Sequence, residues 1–332
     1  MEATDETELC FPTLPNSSCR RTVNPPSVSM TAYVTLSCIS LLTVALNLLV
    51  IISISHFKKL HTPTNILLLS LAVSDFLVGF IILLQFLNIN GCWYLGDSMC
   101  ALYGVLEYVI TSASIGTMVL ISVDRYIAVC DPLHYSTKVT ENRVKLIVLQ
   151  CWFGSALCHT LLLKENLKHP GSFKSCTGEC VLGITPVAGI VNLILTFIAP
   201  VAVIILLYMR VFVVAVSQAR AMRSHVAVVT LQSSGTVLVK KSELKAARSL
   251  GVVVLVFLLC LCPFFCVTMS NEVTAFSVSS IAFVLNLYYF NSCLNPLIYA
   301  FFYPWFRRCV KLIVTLQILR PRSGEANVME WD

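Results

Sequence analysis

Seven stretches of this 332-residue chain are apolar over lengths that match a lipid bilayer, and this decides what the chain can become. They lie near residues 30–55, 64–88, 98–128, 145–163, 186–212, 246–270 and 277–301. At 1.5 Å per residue, roughly 20 helical residues cross the ~30 Å hydrocarbon layer. Runs beyond ~18 residues without period-two alternation are helices and not barrel strands, because in lipid every backbone polar group needs a partner. A mean hydropathy of +0.82 excludes a water-soluble globule, since no sphere this size hides so much apolar surface. The expected fold is an all-α membrane protein with a seven-transmembrane helix bundle over 30–301. An extracellular tail (1–29) precedes it, and a short amphipathic eighth helix (302–315) and a cytoplasmic tail (316–332) follow.

Charge sets the expected orientation. Of the 23 Lys and Arg, five (Arg20, Arg21, Lys164, Lys168 and Lys174) fall on one side of the spans. The other 18 fall on the opposite side, among them Lys58, Lys59, Lys138, Arg143, Lys240, Lys241, Arg307 and Arg308. The positive-inside rule then places the N-terminus outside and the C-terminus inside, as in a multi-pass protein of the plasma membrane. Cationic clusters beside the spans suit an anionic inner leaflet, so nucleic acid is not implied. Residues 1–29 are polar and acidic, which makes the first span the expected signal-anchor. The run Trp305 to Ile313 mixes apolar and basic residues at helical spacing, as an interfacial helix does, and the tail from Pro321 is expected to be unstructured.

Prolines at 200, 263 and 296 fall inside three successive spans, the pattern of kinked helices around a cavity. Ionisable side chains inside spans mark function by default, because burying them is costly. Asp75 lies mid-span, and Ser114, Asn291, Ser292 and Asn295 on other spans offer oxygens for a hard cation or a hydrated polar hub. Helix–helix hydrogen bonding is the structural alternative. Glu107 lies two turns, about 10 Å, below Cys100. With Phe264, Phe265, Tyr288 and Tyr289 on facing spans, it suits a cationic amine through an ion pair and cation–π contacts. Against that stands a carboxyl satisfied by an internal donor such as a Tyr hydroxyl. Asp124-Arg125-Tyr126 ends the same helix, Arg125 about 27 Å from Glu107. Arg125 is expected to pair with Asp124 or Glu243, and a breakable pair of this kind holds an inactive state.

Of 15 cysteines, Cys10, Cys19, Cys92, Cys100, Cys176 and Cys180 lie on the oxidising side. Spacing leaves their connectivity open, with zinc at Cys176 and Cys180 a weaker alternative. Asn16-Ser17-Ser18 is a glycosylation sequon on the outer tail. A cation transporter using Asp75 and Glu107 would call for internal repeats or an acidic pore, and neither is evident. No cluster of the six histidines with acids suggests an enzyme.

The ordered landmarks resemble those of rhodopsin-like G-protein-coupled receptors over nearly the whole chain. They are Asn47; Leu71 to Asp75; Cys100 and Asp124-Arg125-Tyr126; Trp152; Pro200 with Tyr208; Phe257, Cys260 and Pro263; and Asn295-Pro296 with Tyr299. The run from Asn291 to Phe306 and the pair Cys176 and Cys180 resemble the trace amine-associated receptors, most of them vertebrate olfactory receptors. The resemblance implies disulfides Cys100–Cys180 and Cys19–Cys176, Cys19 being preferred to Cys10. It implies a small amine held by Glu107, Tyr108, Asn192, Phe264, Phe265, Thr268, Tyr288 and Tyr289. It also implies a switch of Asp124, Arg125, Tyr126, Tyr208, Glu243, Asn295, Pro296 and Tyr299, acting through a stimulatory or olfactory heterotrimeric G protein on cyclic AMP. No cofactor is expected beyond allosteric sodium at Asp75, Ser114, Asn291 and Asn295.

Departures from the family pattern sharpen the expectation. Glu107 stands where amine receptors usually carry Asp, Leu261 where a tryptophan is usual, and Leu46 where a glycine is common. Asn192 is neutral where some fish members place an aspartate, and Glu179 or Glu272 is a candidate to hold the far end of a diamine. The alternatives within receptors are a classical monoamine receptor and a diverged one with a non-amine ligand.

Overall fold

A computed structural model describes residues 9–21, 26–85, 91–226, 251–267, 278–321 and 323–328. Its architecture is helical, with two isolated β-bridges (Leu9 to Arg20 and Ser18 to Thr177) among the described residues. The main helices are α1 (Pro26–His56), α2 (Pro63–Gln85), α3 (Asp97–Cys130) and α4 (Glu141–Leu162). Helix α5 runs through Pro186–Leu193, a π turn at Ile194–Ile198, and Ala199–Val226. Then come α6 (Gly251–Val267), α7 (Val278–Phe302) and α8 (Pro304–Val314). Among the described residues, α1 to α5 are long and apolar enough to cross a membrane, and α6 is a shorter apolar helix.

Local chemistry sets the boundaries. Pro63, Pro186 and Pro304 each open a helix, where the missing N–H removes nothing. Thr185 caps α5 by accepting from the Ala188 N–H at 3.3 Å. Tyr303 is extended ahead of Pro304, which separates α7 from α8. The π turn of α5 lies just before Pro200, where the ring would otherwise crowd the preceding turn. Pro296 lies inside α7, so the Ser292 carbonyl four residues back loses its helical donor. Asn47 of α1 supplies one instead, its Nδ2 donating to that carbonyl at 2.9 Å.

Helix α3 is the central element, 34 residues long and packed against α2, α4 and α5. The core runs from Val50 and Ile54 through Leu68, Leu71, Ile115 and Met118 to Phe257 and Tyr299, each at most 1% exposed. Helix α1 approaches α2 at Gly79, whose carbonyl accepts from Ser40 Oγ at 2.9 Å. A Cβ there would meet Val44 Cγ2 at 2.5 Å, so only glycine allows that approach. The outer surface stays apolar: Leu149, Phe153 and Leu161 of α4 are each at least 60% exposed, as expected of a helix flank facing lipid.

The expectation of an unstructured tail after Pro321 is corrected. Ser323–Glu325 forms a short helical turn against the end of α1. Ser323 Oγ and His56 Nε2 are 2.9 Å apart, Lys58 pairs with Glu325 at 3.6 Å, and Val328 is 3% exposed. One apolar side chain with a place to bury itself is enough to order so short a segment.

Candidate functional site

Three disulfides shape the outer face. Cys100 at the top of α3 is bonded to Cys180, and Cys19 to Cys176. A third, Cys10–Cys92, was not anticipated by the sequence. With Cys176 and Cys180 both oxidised, neither is a thiolate for zinc. The loop after α4 is further pinned where Asn166 exchanges two hydrogen bonds with Gly183, at 2.7 and 2.9 Å. Asn16 is exposed at the tip of the N-terminal segment, open to modification.

Beneath this loop lies a cavity of about 400 Å³. Glu107, Tyr108 and Thr111 of α3 form one wall, and Asn192 and Thr196 of α5 lie opposite. Phe264 and Phe265 of α6 and Tyr288 of α7 complete an apolar enclosure with few polar groups, the usual makeup of a small-molecule site. The aromatics are packed together: Phe264 lies 4.6 Å from Tyr288 and Phe265 stacks on Phe197 at 4.2 Å between ring centres. Tyr288 is fixed by Thr111, hydroxyl to hydroxyl at 2.6 Å.

Glu107 is reached from its other side by the hydroxyls of Tyr103 and Tyr289. Tyr289 is therefore not in the cavity lining; it packs with Leu36 and Ile82 of α1 and α2. The hydroxyl of Tyr103, one turn above Glu107 on the same face of α3, also lies 2.7 Å from Gln85 Oε1, so two acceptors share its one proton. Sequence reasoning missed it, although a four-residue spacing pointed to it.

Asn192 meets His159, which is 1% exposed and stacks on Tyr108. His159 Nε2 lies 3.1 Å from Asn192 Oδ1, and Nδ1 lies 2.8 Å from the Ser155 carbonyl. Both of these neighbours are acceptor oxygens, so the ring N–H groups are what they meet. With Asn192 Oδ1 turned to His159, its Nδ2 is left for the cavity. Glu179 is not among the cavity-lining residues, its carboxylate accepting from the Ser175 N–H at 2.7 Å. Thr268 and Glu272 lie outside the described residues.

Deeper in the bundle, Asn295 Nδ2 donates to Asp75 Oδ2 at 2.7 Å. Asp75 Oδ1, Asn291 Oδ1 and Asn295 Oδ1 are buried without a hydrogen-bond partner. Such orphaned oxygens are a donor set that fits a hard cation. Ser114, Asn291 and Leu261 border a void of about 20 Å³.

At the inner end, Asp124 and Arg125 form a buried pair, Nε to Oδ2 at 3.0 Å. Thr64 donates to Asp124 Oδ2 at 2.9 Å and accepts from Arg125 Nη2 at 2.6 Å. Tyr135, from the one-turn helix Tyr135–Lys138, donates to Asp124 Oδ1 at 2.8 Å. Tyr126, expected in this switch, is 36% exposed on the flank of α3; Tyr135 takes the place next to the acid. The hydroxyls of Tyr208 and Tyr299 are buried without a partner, and Glu243 lies outside the described residues.

Comparison with known proteins gives the family. The profile of the 7 transmembrane receptor (rhodopsin family) matches residues 46–299. Trace amine-associated receptor 13c of Danio rerio is 36% identical over 98% of this chain and 97% of its own. Trace amine-associated receptor 4 of Rattus norvegicus is 35% identical over 97% and 96%. Trace amine-associated receptor 1 of Mus musculus is 38% identical over 91% and 93%. The chain belongs to the trace amine-associated receptors of the rhodopsin family. As a trace amine-associated receptor it is a multi-pass signalling receptor and not an enzyme.

Proposed function

We propose that this receptor, a seven-helix bundle in the plasma membrane with its N-terminus outside, senses a small amine in the cavity below Cys180. The carrying observation is a carboxylate, Glu107, on the wall of a largely apolar cavity that also presents Tyr108, Phe264 and Tyr288. An ammonium group there trades water for one counter-ion and several ring faces. Tyr103 and Tyr289 act behind the carboxylate, as positioning groups that aim it into the cavity. Asn192, held through its Oδ1 by His159, offers its amide N–H as a donor at the far end. The neutrality of Asn192, and the engagement of Glu179 with its own loop, favour a monoamine over a diamine.

Signal transfer follows α3. A shift of its outer half on amine binding is passed along one rigid helix to the Asp124–Arg125 pair. Released from Asp124, the Arg125 guanidinium is the group offered to a stimulatory G protein, which raises cyclic AMP. Tyr208 and Tyr299, with their unpaired hydroxyls, are placed to receive it. Sodium at Asp75, Asn291 and Asn295, with Ser114 nearby, would supply the positive charge that satisfies the orphaned oxygens of the inactive bundle. A cyclic AMP assay in transfected cells against mono-, di- and polyamines tests the reading; silence to every amine at normal surface level overturns it.

A second reading rests on the same tyrosines. If Tyr103 and Tyr289 satisfy Glu107 entirely, the acid is structural and the ligand need carry no charge. Substitution of Glu107 separates the two readings, as developed below.

A further inference from the structure

On the inner half of the bundle, away from the amine cavity, the structure holds a second hollow that ligand recognition does not use. It measures about 280 Å³, roughly nine water volumes and too large for a single ion. Leu67 of α2, Leu120 and Val123 of α3 and Ile147 of α4 line it, and Arg143 and Lys138 stand at its rim. Leu146 and Ile147 are 56% and 43% exposed, so the hollow opens sideways into hydrocarbon and not toward water.

The rim carries charge that the protein does not neutralise. Arg143 uses Nη1 to donate to the backbone carbonyls of Thr137 and Lys138, at 2.9 and 3.2 Å. No carboxylate among the described residues pairs with it, which leaves further N–H donors of its planar fork and its full charge at the mouth of an apolar groove. Lys138 is shared, its Nζ lying 2.8 Å from Asp131, which His134 also contacts. An apolar slot with a bidentate cation at its mouth is complementary to one kind of molecule, a hydrocarbon chain that ends in a phosphate.

We propose that this groove binds an anionic membrane phospholipid, one acyl chain lying along Leu120, Val123 and Ile147 and the phosphate seated on Arg143 beside Lys138. In the orientation proposed above, the groove faces the cytoplasmic leaflet, where anionic lipids are concentrated; the binding itself does not depend on the amine reading. Asp124 also borders the groove, so a chain lodged there keeps water from the Asp124–Arg125 pair and strengthens it. The lipid would thereby favour the resting receptor.

The test uses the full-length receptor in nanodiscs of phosphatidylcholine with a minor fraction of labelled phosphatidylserine, retention being read by energy transfer from a label on the receptor. At roughly fivefold per surface cation, K138Q/R143Q is expected to weaken serine-lipid retention about 30-fold. Lys145, paired with Glu141 and outside the groove, is the control, and Lys145→Gln is expected to change nothing. Ile147→Trp, which fills the slot from its exposed side, is expected to remove retention with both cations still present. Equal losses in the double variant and in Lys145→Gln, or full retention in Ile147→Trp, would overturn the site. Retention is read without any amine, so its failure is separate from a failure of amine recognition.

Discussion

Replacing Glu107 with Gln is the most direct probe of recognition. Gln keeps the volume and the oxygen that Tyr103 and Tyr289 approach, so the empty receptor should fold and reach the surface. What it removes is the charge. For an ammonium about 3 Å from the carboxylate, at an effective dielectric of about 20, the Coulomb attraction is roughly 5 kcal/mol. Part of that offsets the desolvation of both ions, and breaking such a pair typically costs about 3 kcal/mol. Potency in a cyclic AMP assay, corrected for surface level, should therefore fall roughly a hundredfold. Glu107→Asp withdraws the carboxylate by one methylene; stretching the pair from about 3 to about 4.3 Å weakens the attraction by roughly 1.5 kcal/mol, about tenfold. A longer amine should recover part of that loss in the Asp variant. Unchanged potency in Glu107→Gln at normal surface level would refute the ion pair and make Glu107 a structural acid.

Asn47→Ala leaves the Ser292 carbonyl buried without a donor, which costs about 1–3 kcal/mol and should lower the melting temperature of the purified receptor; an unchanged melting temperature counts against the proline-gap argument. Asp124→Asn removes the charge that holds Arg125, so ligand-free cyclic AMP should rise at matched expression, and a flat or lower baseline counts against a resting lock. Asp75→Asn should abolish any difference in amine affinity between sodium and a bulky organic cation in the buffer; a persisting difference removes Asp75 from the cation site. Cys180→Ser should cut surface expression sharply, loss of such a loop closure costing about 2–4 kcal/mol, and normal trafficking would make that bridge dispensable.

The parts legible in the sequence are the local ones. Apolar length marks each span, and Pro63, Pro186 and Pro304 mark three helix starts, because both signals act within a few residues. Glu107 was legible for the same reason: a charge inside an apolar run stands out wherever the run folds. Pairings across the fold were not. Six outer cysteines allow 15 connectivities, and nothing in their spacing singles out Cys10–Cys92. Tyr126 adjoins Arg125 in sequence, yet consecutive helical residues point about 100° apart, and the tyrosine next to Asp124 comes from the one-turn helix Tyr135–Lys138. His159 is one apolar-flanked histidine among six, and only the meeting of α4 with α5 gives it Asn192. The folded-back tail depends on Val328 finding the base of α1, a contact with no sequence signature.

The outer disulfides have a topological consequence. Cys92 leads through Cys10 and along the N-terminal segment to Cys19, then through Cys176 to Cys180, and through Cys100 back along the chain to Cys92. The path is a closed macrocycle, its three bridges in series like links of a bracelet. Opening any one link opens this ring, while the other two bridges still close their own chain loops, the three having sequence separations of 82, 157 and 80 residues. A second reduction releases a further loop. A protease cut between Cys10 and Cys19 would open the ring as surely as a reductant, yet leave both fragments attached to the receptor. The rim of the receptor is therefore one continuous covalent ring when oxidised, and it loosens loop by loop as its bridges open.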